Sequence, residues 1–431
     1  MKILLVGGGG REHALAWRLK QENPAIEIIA APGNPGIGAL GRCIPVGATD
    51  VDAFGALARS EAVEWTLIGP EAPLAAGIVD AFRAQQLPVF GPTRAAAMVE
   101  TSKAFSKSLM VDAGVPTARA VTCETLYEVD RAVAEIGAPL VVKASGLAAG
   151  KGVIICMTAK EALLAATAML SENVFGDAGN TVLVEEFMEG EELSMLFVTD
   201  GERTWALPPA QDHKRLLEGD RGPNTGGMGA YSPVSRVAAS DPLYDDVLTR
   251  IVQPTLEAMQ SRGTPFTGLL YAGLMLTGDG PRVVEFNCRF GDPETQAVLP
   301  ALSSSVGLGE AMHAVARGDR LDADAVLPAG TSAVTTVLAA SGYPDRPRTG
   351  DRIALPPVPD ETLVFHAGTK WDANGALVTA GGRVLAVTGV GRTFDDAHAR
   401  SQSYAGAVEF HGKQFRRDIG WRELARGAGV T

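Results

Sequence analysis

The segment at 140–153, LVVKASGLAAGKGV, restricts what this chain can fold into more than any other. Leu140-Val141-Val142 is a short apolar, β-branched run after a Gly-Ala-Pro break, and a buried strand is expected there. Gly146, Gly150 and Gly152 then let the backbone approach a ligand closely, with successive amides free to donate to anionic oxygens. Lys143 and Lys151 add two ammonium groups, so strand and loop together predict a clamp for a polyphosphate chain. The loop is not a Walker A motif, because Gly152 follows Lys151 where Ser or Thr is needed and the two flanking glycines, Gly146 and Gly150, are too close. A flexible hairpin with surface lysines is the competing reading.

At 431 residues the chain is too long for one core and predicts about three or four domains. Its 46% hydrophobic content, with 50 Gly and 26 Pro spread along the chain, fits an ordered globular protein with many tight connections. The formal charge of -12 disfavours sequence-independent nucleic-acid binding, which rests on clustered Lys and Arg. Cys43, Cys123, Cys156 and Cys288 lack C-x-x-C spacing, so reduced thiols and a cytoplasmic setting are expected rather than zinc or disulfides. No apolar stretch reaches the roughly 18 residues of a membrane span, and the N-terminus does not read as an export signal.

From the N-terminus, residues 2–6, 27–30, 65–68 and 88–90 are expected as strands. Helical patterns at 12–20, 51–60 and 74–85 between them make an open parallel sheet. The turn at 7–10 is similar to a dinucleotide fingerprint, but Glu12 stands where the third glycine belongs, which disfavours NAD. Gly9, Gly10 and Arg11 at the helix start could still hold a single phosphate. Gly69-Pro70-Glu71-Ala72-Pro73 follows a strand's carboxyl end, where open sheets bind ligands, or is a plain βα turn.

Residues 95–112 read as one or two helices carrying Lys103 and Lys107, and Gly114-Val115-Pro116-Thr117 marks a boundary. Residues 121–187 then form a compact α+β lobe with helices at 125–136 and around 159–170. Its last strand ends in Glu185-Glu186-Phe187, acids bounding an aromatic that could line an adenosine pocket or make a solvated turn. Residues 208–233 are glycine-rich and weakly periodic, which predicts a functional loop; Asp212, His213, Lys214 and Arg215 open it. A helix to about Ser261 follows, capped by Asp241 with Pro242 at its first position. Runs at 269–276 and 282–286, joined by Thr277-Gly278-Asp279-Gly280, predict a hairpin. Glu285 and Asn287, two apart, then face one side, a hard-oxygen pair suited to magnesium bridging phosphates, with Arg289 on the same face for an anionic group. From about Ser332 the chain turns β-rich, with strands at 333–339, 362–366 and 383–390 and a helix at 394–408; His366 has no nearby nucleophile or base and is expected to be structural.

Several motifs together resemble the ATP-grasp ligases, and within them the glycinamide ribonucleotide synthetases: GGGGREHALAW, GPEAPL, KASGLAAGKGV, QDHKR, GPNTGGMGAYSP, VEFNCRFGDPETQ, VFHAGTK and GGRVL, in that order over nearly the whole chain. The fold implied is multidomain, α/β and α+β. It has an N-terminal α/β domain (1–101) with an open parallel sheet, a two-lobed ATP-grasp core (102–325) whose lobe at about 121–187 closes over ATP, and a C-terminal β-rich domain (326–431). The resemblance implies that Lys103, Lys143 and Lys151 hold ATP phosphates with the loop glycines Gly146, Gly150 and Gly152. It further implies that Glu185, Glu186 and Phe187 meet adenine, that Glu192 takes the ribose, and that Glu285 and Asn287 bind magnesium, or manganese in its place. Asp212, Lys214 and Arg289 are implied near glycine and 5-phosphoribosylamine. Ser145 stands where the family usually has Asp, so no charge acts at that position. The implied reaction joins glycine to 5-phosphoribosylamine through glycyl phosphate, forming ADP and phosphate, in a monomer that needs neither nucleic acid nor membrane. Another ATP-grasp ligase with a different acid and amine, or a nucleotide-binding regulator without catalysis, remain the alternatives.

Overall fold

The computed structural model describes residues 1–148, 152–172, 174–237 and 241–428. At the N-terminus five parallel strands run in the order Arg42–Cys43, Glu27–Pro32, Lys2–Gly7, Trp65–Ile68, Val89–Phe90. Its central strands are buried on both faces, as near-continuous apolar runs such as Ile3-Leu4-Leu5-Val6 require. The helix Val51–Ser60 lies where the pattern placed it, whereas the stretch expected as one helix at 74–85 is two, Glu71–Ala75 and Ile78–Ala84. Gly77 separates them at φ +89°, a left-handed conformation that other residues rarely adopt.

A second sheet, in the order Gly280–Asn287, Gly268–Thr277, Glu191–Thr199, Thr204–Ala206, Ala325–Val326, forms the body of the molecule. Two hydrophobic clusters join it to the first. One unites Leu4 and Val6 with Leu193, Phe197, Leu274 and Val283, and the other unites Ile3 and Leu5 with Leu196, Leu269 and Tyr271. The C-terminal antiparallel sheet runs Gln211–Asp212, Gly229–Ser232, Ser332–Ala339, Arg383–Gly391, Thr362–His366, with the helix Phe394–Ala407 packed on it. Its first two strands come from the stretch expected as a loop at 208–233. That stretch also holds the two-stranded pair Arg215–Leu217 and Arg221–Asn224. Weak periodicity concealed them because each is only two to four residues long.

Between these parts sits a small lobe whose antiparallel sheet runs Ala120–Cys123, Val182–Glu186, Leu140–Ala144, Val153–Cys156, covered by the helices Leu126–Ile136 and Ala159–Leu170. Both helices are capped by threonine, Thr125 and Thr158, whose hydroxyls accept from the third helical amide. The lobe has a core of its own, including Val129, Val142, Met169 and Val184, with no member in the larger clusters. Its entry strand is fastened to the body: Arg282 donates to the Thr117 carbonyl at 2.7 Å and pairs with Glu186. The Thr117 hydroxyl donates to the Val283 carbonyl at 2.8 Å.

A separate core predicts separate opening. Met169→Ala should destabilise the lobe by about 2–5 kcal/mol, the usual range for truncating a buried methionine. Hydrogen exchange should then accelerate in residues 120–186 while Lys2–Gly7 keeps its protection. Equal acceleration in both would show that the lobe unfolds only with the whole molecule.

Candidate active site

The hairpin Gly268–Thr277 and Gly280–Asn287 sets the geometry. Its register slips by one residue: Leu274 pairs with Val283 but Gly273 pairs with Glu285, so Val284 is an extra, bulged residue. The bulge reverses the alternation. Val283 is buried before it, and Phe286, Cys288 and Phe290 are buried after it, which turns Glu285, Asn287 and Arg289 together toward the opposite side. The bulge also leaves the Val284 carbonyl free, and Lys143 donates to it at 3.2 Å.

Among the described residues Glu285 has no hydrogen-bond or ion-pair partner, yet its pKa is lowered. Burial acts to raise it, and Lys214, Lys143, Lys103 and Arg289 together outweigh that. Four cationic side chains from four segments therefore act electrostatically on one carboxylate that has no partner among the described residues. Asn287 lies beside it, so the two supply a carboxylate and an amide oxygen. That donor set is small and hard, which suits a magnesium ion that keeps most of its shell for phosphate and water. No group of three or more His, Cys, Asp or Glu side chains poised for a metal occurs among the described residues.

The remaining expected residues are placed as follows. Lys103 opens the helix Lys103–Asp112 and donates to the Gly146 carbonyl at 3.1 Å. Ser145 accepts from the Ala104 amide at 3.1 Å through its hydroxyl and from the Lys103 amide at 2.8 Å through its carbonyl, so it caps that helix start without a charge. Gly152 packs tightly over Ala148 and Ala144, where an added Cβ would come within 2.7 Å and 3.1 Å of their methyl groups. Gly150 and Lys151 lie outside the described residues. Glu185, expected at an adenosine pocket, is instead 3% exposed, with Lys143 at 2.6 Å and Lys107 at 3.1 Å. Glu186 accepts from the Arg119 amide at 2.9 Å besides its pair with Arg282, and Phe187 is half-buried at the strand's end. The carboxylates of both glutamates are thus turned to protein partners. Glu192 pairs with Lys214 at 2.6 Å.

Arg289 is gripped by two glutamates, Glu100 at 2.9 Å and Glu71 at 3.3 Å. Glu100 is buried and also accepts from the Cys288 amide at 2.8 Å, so it fixes both the strand's end and the guanidinium. Nothing in the sequence marked it, because a single acid in a helical pattern carries no spacing signal. Glu294 is buried and accepts from the Tyr271 hydroxyl at 3.0 Å. Arg383 reaches from the C-terminal sheet to Asp292 at 3.0 Å and donates to the Gly226 carbonyl. The helix start at Gly9 to Arg11 is already occupied: the Glu12 carboxylate accepts from the Gly9 amide at 2.5 Å and from Arg11 at 2.6 Å. A ligand phosphate there would have to displace it. His366 donates its amide to His13 at 2.8 Å and meets the Thr369 hydroxyl at 3.0 Å, with burial lowering its pKa to about 4, a structural role as expected.

Asp212 sits on the strand Gln211–Asp212 beside this cluster. Burial pushes its carboxyl up to about 8; Lys214 opposes the shift, and Glu294, Glu192 and Glu285 add to it. The folded protein thus holds a proton that the unfolded chain releases near an ordinary carboxylate pKa of about 3.9. The stability this proton contributes is fully present below about pH 4 and is lost as pH rises through about 8. Asp212→Asn stays neutral, so thermal unfolding of wild type should weaken relative to this variant between about pH 4 and 8. Parallel pH profiles would make Asp212 an ordinary carboxylate.

Comparison with known proteins agrees over the full length. Residues 1–100, 101–295 and 333–422 match the N domain, the ATP-grasp (A) domain and the C domain of Phosphoribosylglycinamide synthetase. A Phosphoribosylamine--glycine ligase of Ralstonia nicotianae is 47% identical over 431 residues, covering 99% of this chain and all of the relative. One from Yersinia pestis is 45% identical over 435 residues, covering 99% of this chain and 100% of the relative. The crystal structure of Phosphoribosylamine--glycine ligase from Thermotoga maritima superposes with a TM-score of 0.84 at 34% identity, covering 97% of this chain and 100% of that one. The biotin carboxylase domain of a Hydrogenobacter thermophilus 2-oxoglutarate carboxylase, in complex with MgADP, shares the fold at TM-score 0.72 and 17% identity, over 96% of this chain and 91% of that one. With all three domains matched in order, the chain belongs to the phosphoribosylglycinamide synthetase family.

Proposed function

We propose that this chain is an ATP-dependent carbon–nitrogen ligase that joins glycine to 5-phosphoribosylamine, releasing glycinamide ribonucleotide, ADP and phosphate, as a step of purine biosynthesis. The observation that carries the reading is the free Glu285 carboxylate with Asn287 at its side and four cationic groups around it. The full-length likeness to phosphoribosylamine–glycine ligases supplies the substrates.

In this reading Lys103, Lys143 and Lys151 neutralise the triphosphate, while backbone around Gly146, Gly150 and Gly152 follows its oxygens. The end of the strand Val182–Glu186, continuing into Phe187, lies along the adenine, and Glu192 takes the ribose. Glu285 and Asn287 would hold magnesium or manganese, which when bound offsets phosphate charge. The glycine carboxylate is a nucleophile at neutral pH without a general base, so the protein's task is positioning and charge neutralisation. Its oxygen attacks the γ-phosphorus and ADP leaves, giving glycyl phosphate. The amine of phosphoribosylamine then attacks the acyl carbon and phosphate leaves, with one amine proton released. Asp212, Lys214 and Arg289 are the side chains assigned to these two substrates. Glycyl phosphate hydrolyses in water, which favours a cover over the site, and in this reading the lobe at 120–186 serves as that cover. No described helix is long and apolar enough to cross a membrane.

The test is ADP release measured with and without each substrate. Release should require both glycine and phosphoribosylamine; release with glycine and a different amine would select another ligase of this superfamily. Glu285→Ala should fold normally yet lose turnover by at least about a hundredfold, since metal-mediated charge stabilisation is worth several kcal/mol. Wild-type turnover at saturating magnesium would remove Glu285 from the reaction.

A further inference from the structure

Lys107 has no part in the chemistry above, yet it is 6% exposed, and burying an ammonium group is unfavourable unless something requires it. It lies one helical turn after Lys103 on Lys103–Asp112, pointing at the same lobe. All three of its N–H groups are matched: the Thr117 hydroxyl at 2.8 Å, the Ala118 carbonyl at 2.9 Å and Glu185 Oε1 at 3.1 Å. Lys143 grips the other oxygen, Glu185 Oε2, at 2.6 Å and the Val284 carbonyl at 3.2 Å, which leaves one N–H without an acceptor among the described residues. One carboxylate is therefore shared by a lysine locked in place and a lysine with a direction still open.

We propose that Lys107 is a positioning residue: it stands as the permanent counter-ion of Glu185, so that Lys143 can turn its ammonium to the nucleotide's phosphates without stranding a buried carboxylate. The inference rests on the reading of Lys143 as a phosphate ligand. Phosphate and Glu185 compete for the same ammonium. With one counter-ion the exchange would leave Glu185 uncompensated at 3% exposure, which is strongly unfavourable; with two it does not. Lys107 cannot follow Lys143 to the phosphates, because the Thr117 and Ala118 contacts hold it at the entry to the lobe.

The test is calorimetric titration of the full chain with a non-hydrolysable ATP analogue and magnesium, and separately with adenosine. Lys107→Met should weaken the analogue roughly tenfold or more, the scale of a charged hydrogen bond, and leave adenosine binding unchanged. Adding Glu185→Gln to it should restore most of that loss, because the competing carboxylate is gone, and adenosine affinity unchanged in both variants separates this effect from loss of the folded site. Wild-type affinity in Lys107→Met, or a double variant no tighter than the single, overturns the proposal. If Lys107→Met does not fold, Glu185→Gln alone decides: it should bind the analogue at least as tightly as wild type, and a tenfold loss overturns the idea. Lys143→Met separates the two levels, since wild-type affinity there removes Lys143 from the phosphate site itself.

Discussion

The one-residue bulge at Val284 is the constraint on which the rest of the site depends. Without it, Glu285 would share the buried face of Val283, and the carboxylate would point into the cluster that holds Leu274 and Val283. With it, Glu285, Asn287 and Arg289 emerge on one side, while Phe286 and Cys288 continue the core. The same slip frees the carbonyl that accepts from Lys143, and the neighbouring Val283 fastens the lobe's entry through its backbone, accepting from Thr117 and donating to the Pro116 carbonyl at 2.7 Å. A single extra residue in one strand thus sets Glu285 and Asn287, Lys143 and the entry to the small lobe in a fixed relation.

Around that bulge the cations are compensated rather than bare. Arg289 has Glu100 and Glu71, Lys143 has Glu185, and Lys214 has Glu192. A cluster of uncompensated Lys and Arg at one point would repel itself and pay desolvation on burial; paired, the cluster can be built into the body and still exchange partners when an anion arrives. An anionic ligand proposed for this cluster would have to compete with a carboxylate already present at each cation, and a ligand with several anionic oxygens would offset several such exchanges at once.

Much of this was legible in sequence and some was not, for separable reasons. Periodicity found the long elements: the parallel strands, the helix Val51–Ser60 and the hairpin that carries Glu285. The direction of Glu285, Asn287 and Arg289 could be read because period-2 spacing holds after the bulge, although the bulge itself left no mark in residue type. The strands within 208–233 were too short to show a period. Glu185 looked like a ligand because it follows a strand beside Phe187. Its engagement by two lysines depends on the approach of the helix Lys103–Asp112, a tertiary fact that no local pattern encodes. Glu100 was silent for the same reason.

The loop that became strands changes the meaning of the C-terminal domain. Gln211–Asp212 and Gly229–Ser232 are edge and second strands of the sheet completed by Ser332–Ala339, so Asp212 and Lys214 owe their placement to residues more than a hundred positions later. His213, between them, is buried, accepts from the Gly420 amide at 2.9 Å and is held neutral, with burial the main cause of a pKa lowered to about 4. Arg416 is fully buried and ties the Asp220 turn to Asp418 at 2.9 and 2.8 Å. The C-terminal helix adds Arg426, which pairs with Glu191 beside Glu192, and Gln211 donates to that same Glu191 at 2.9 Å. Three separate contacts therefore run from the last fifteen or so described residues to the two sides of Asp212 and Lys214. The glycine-rich segment that a periodicity reading leaves loose is thus paired and bonded to the C-terminal part of the chain.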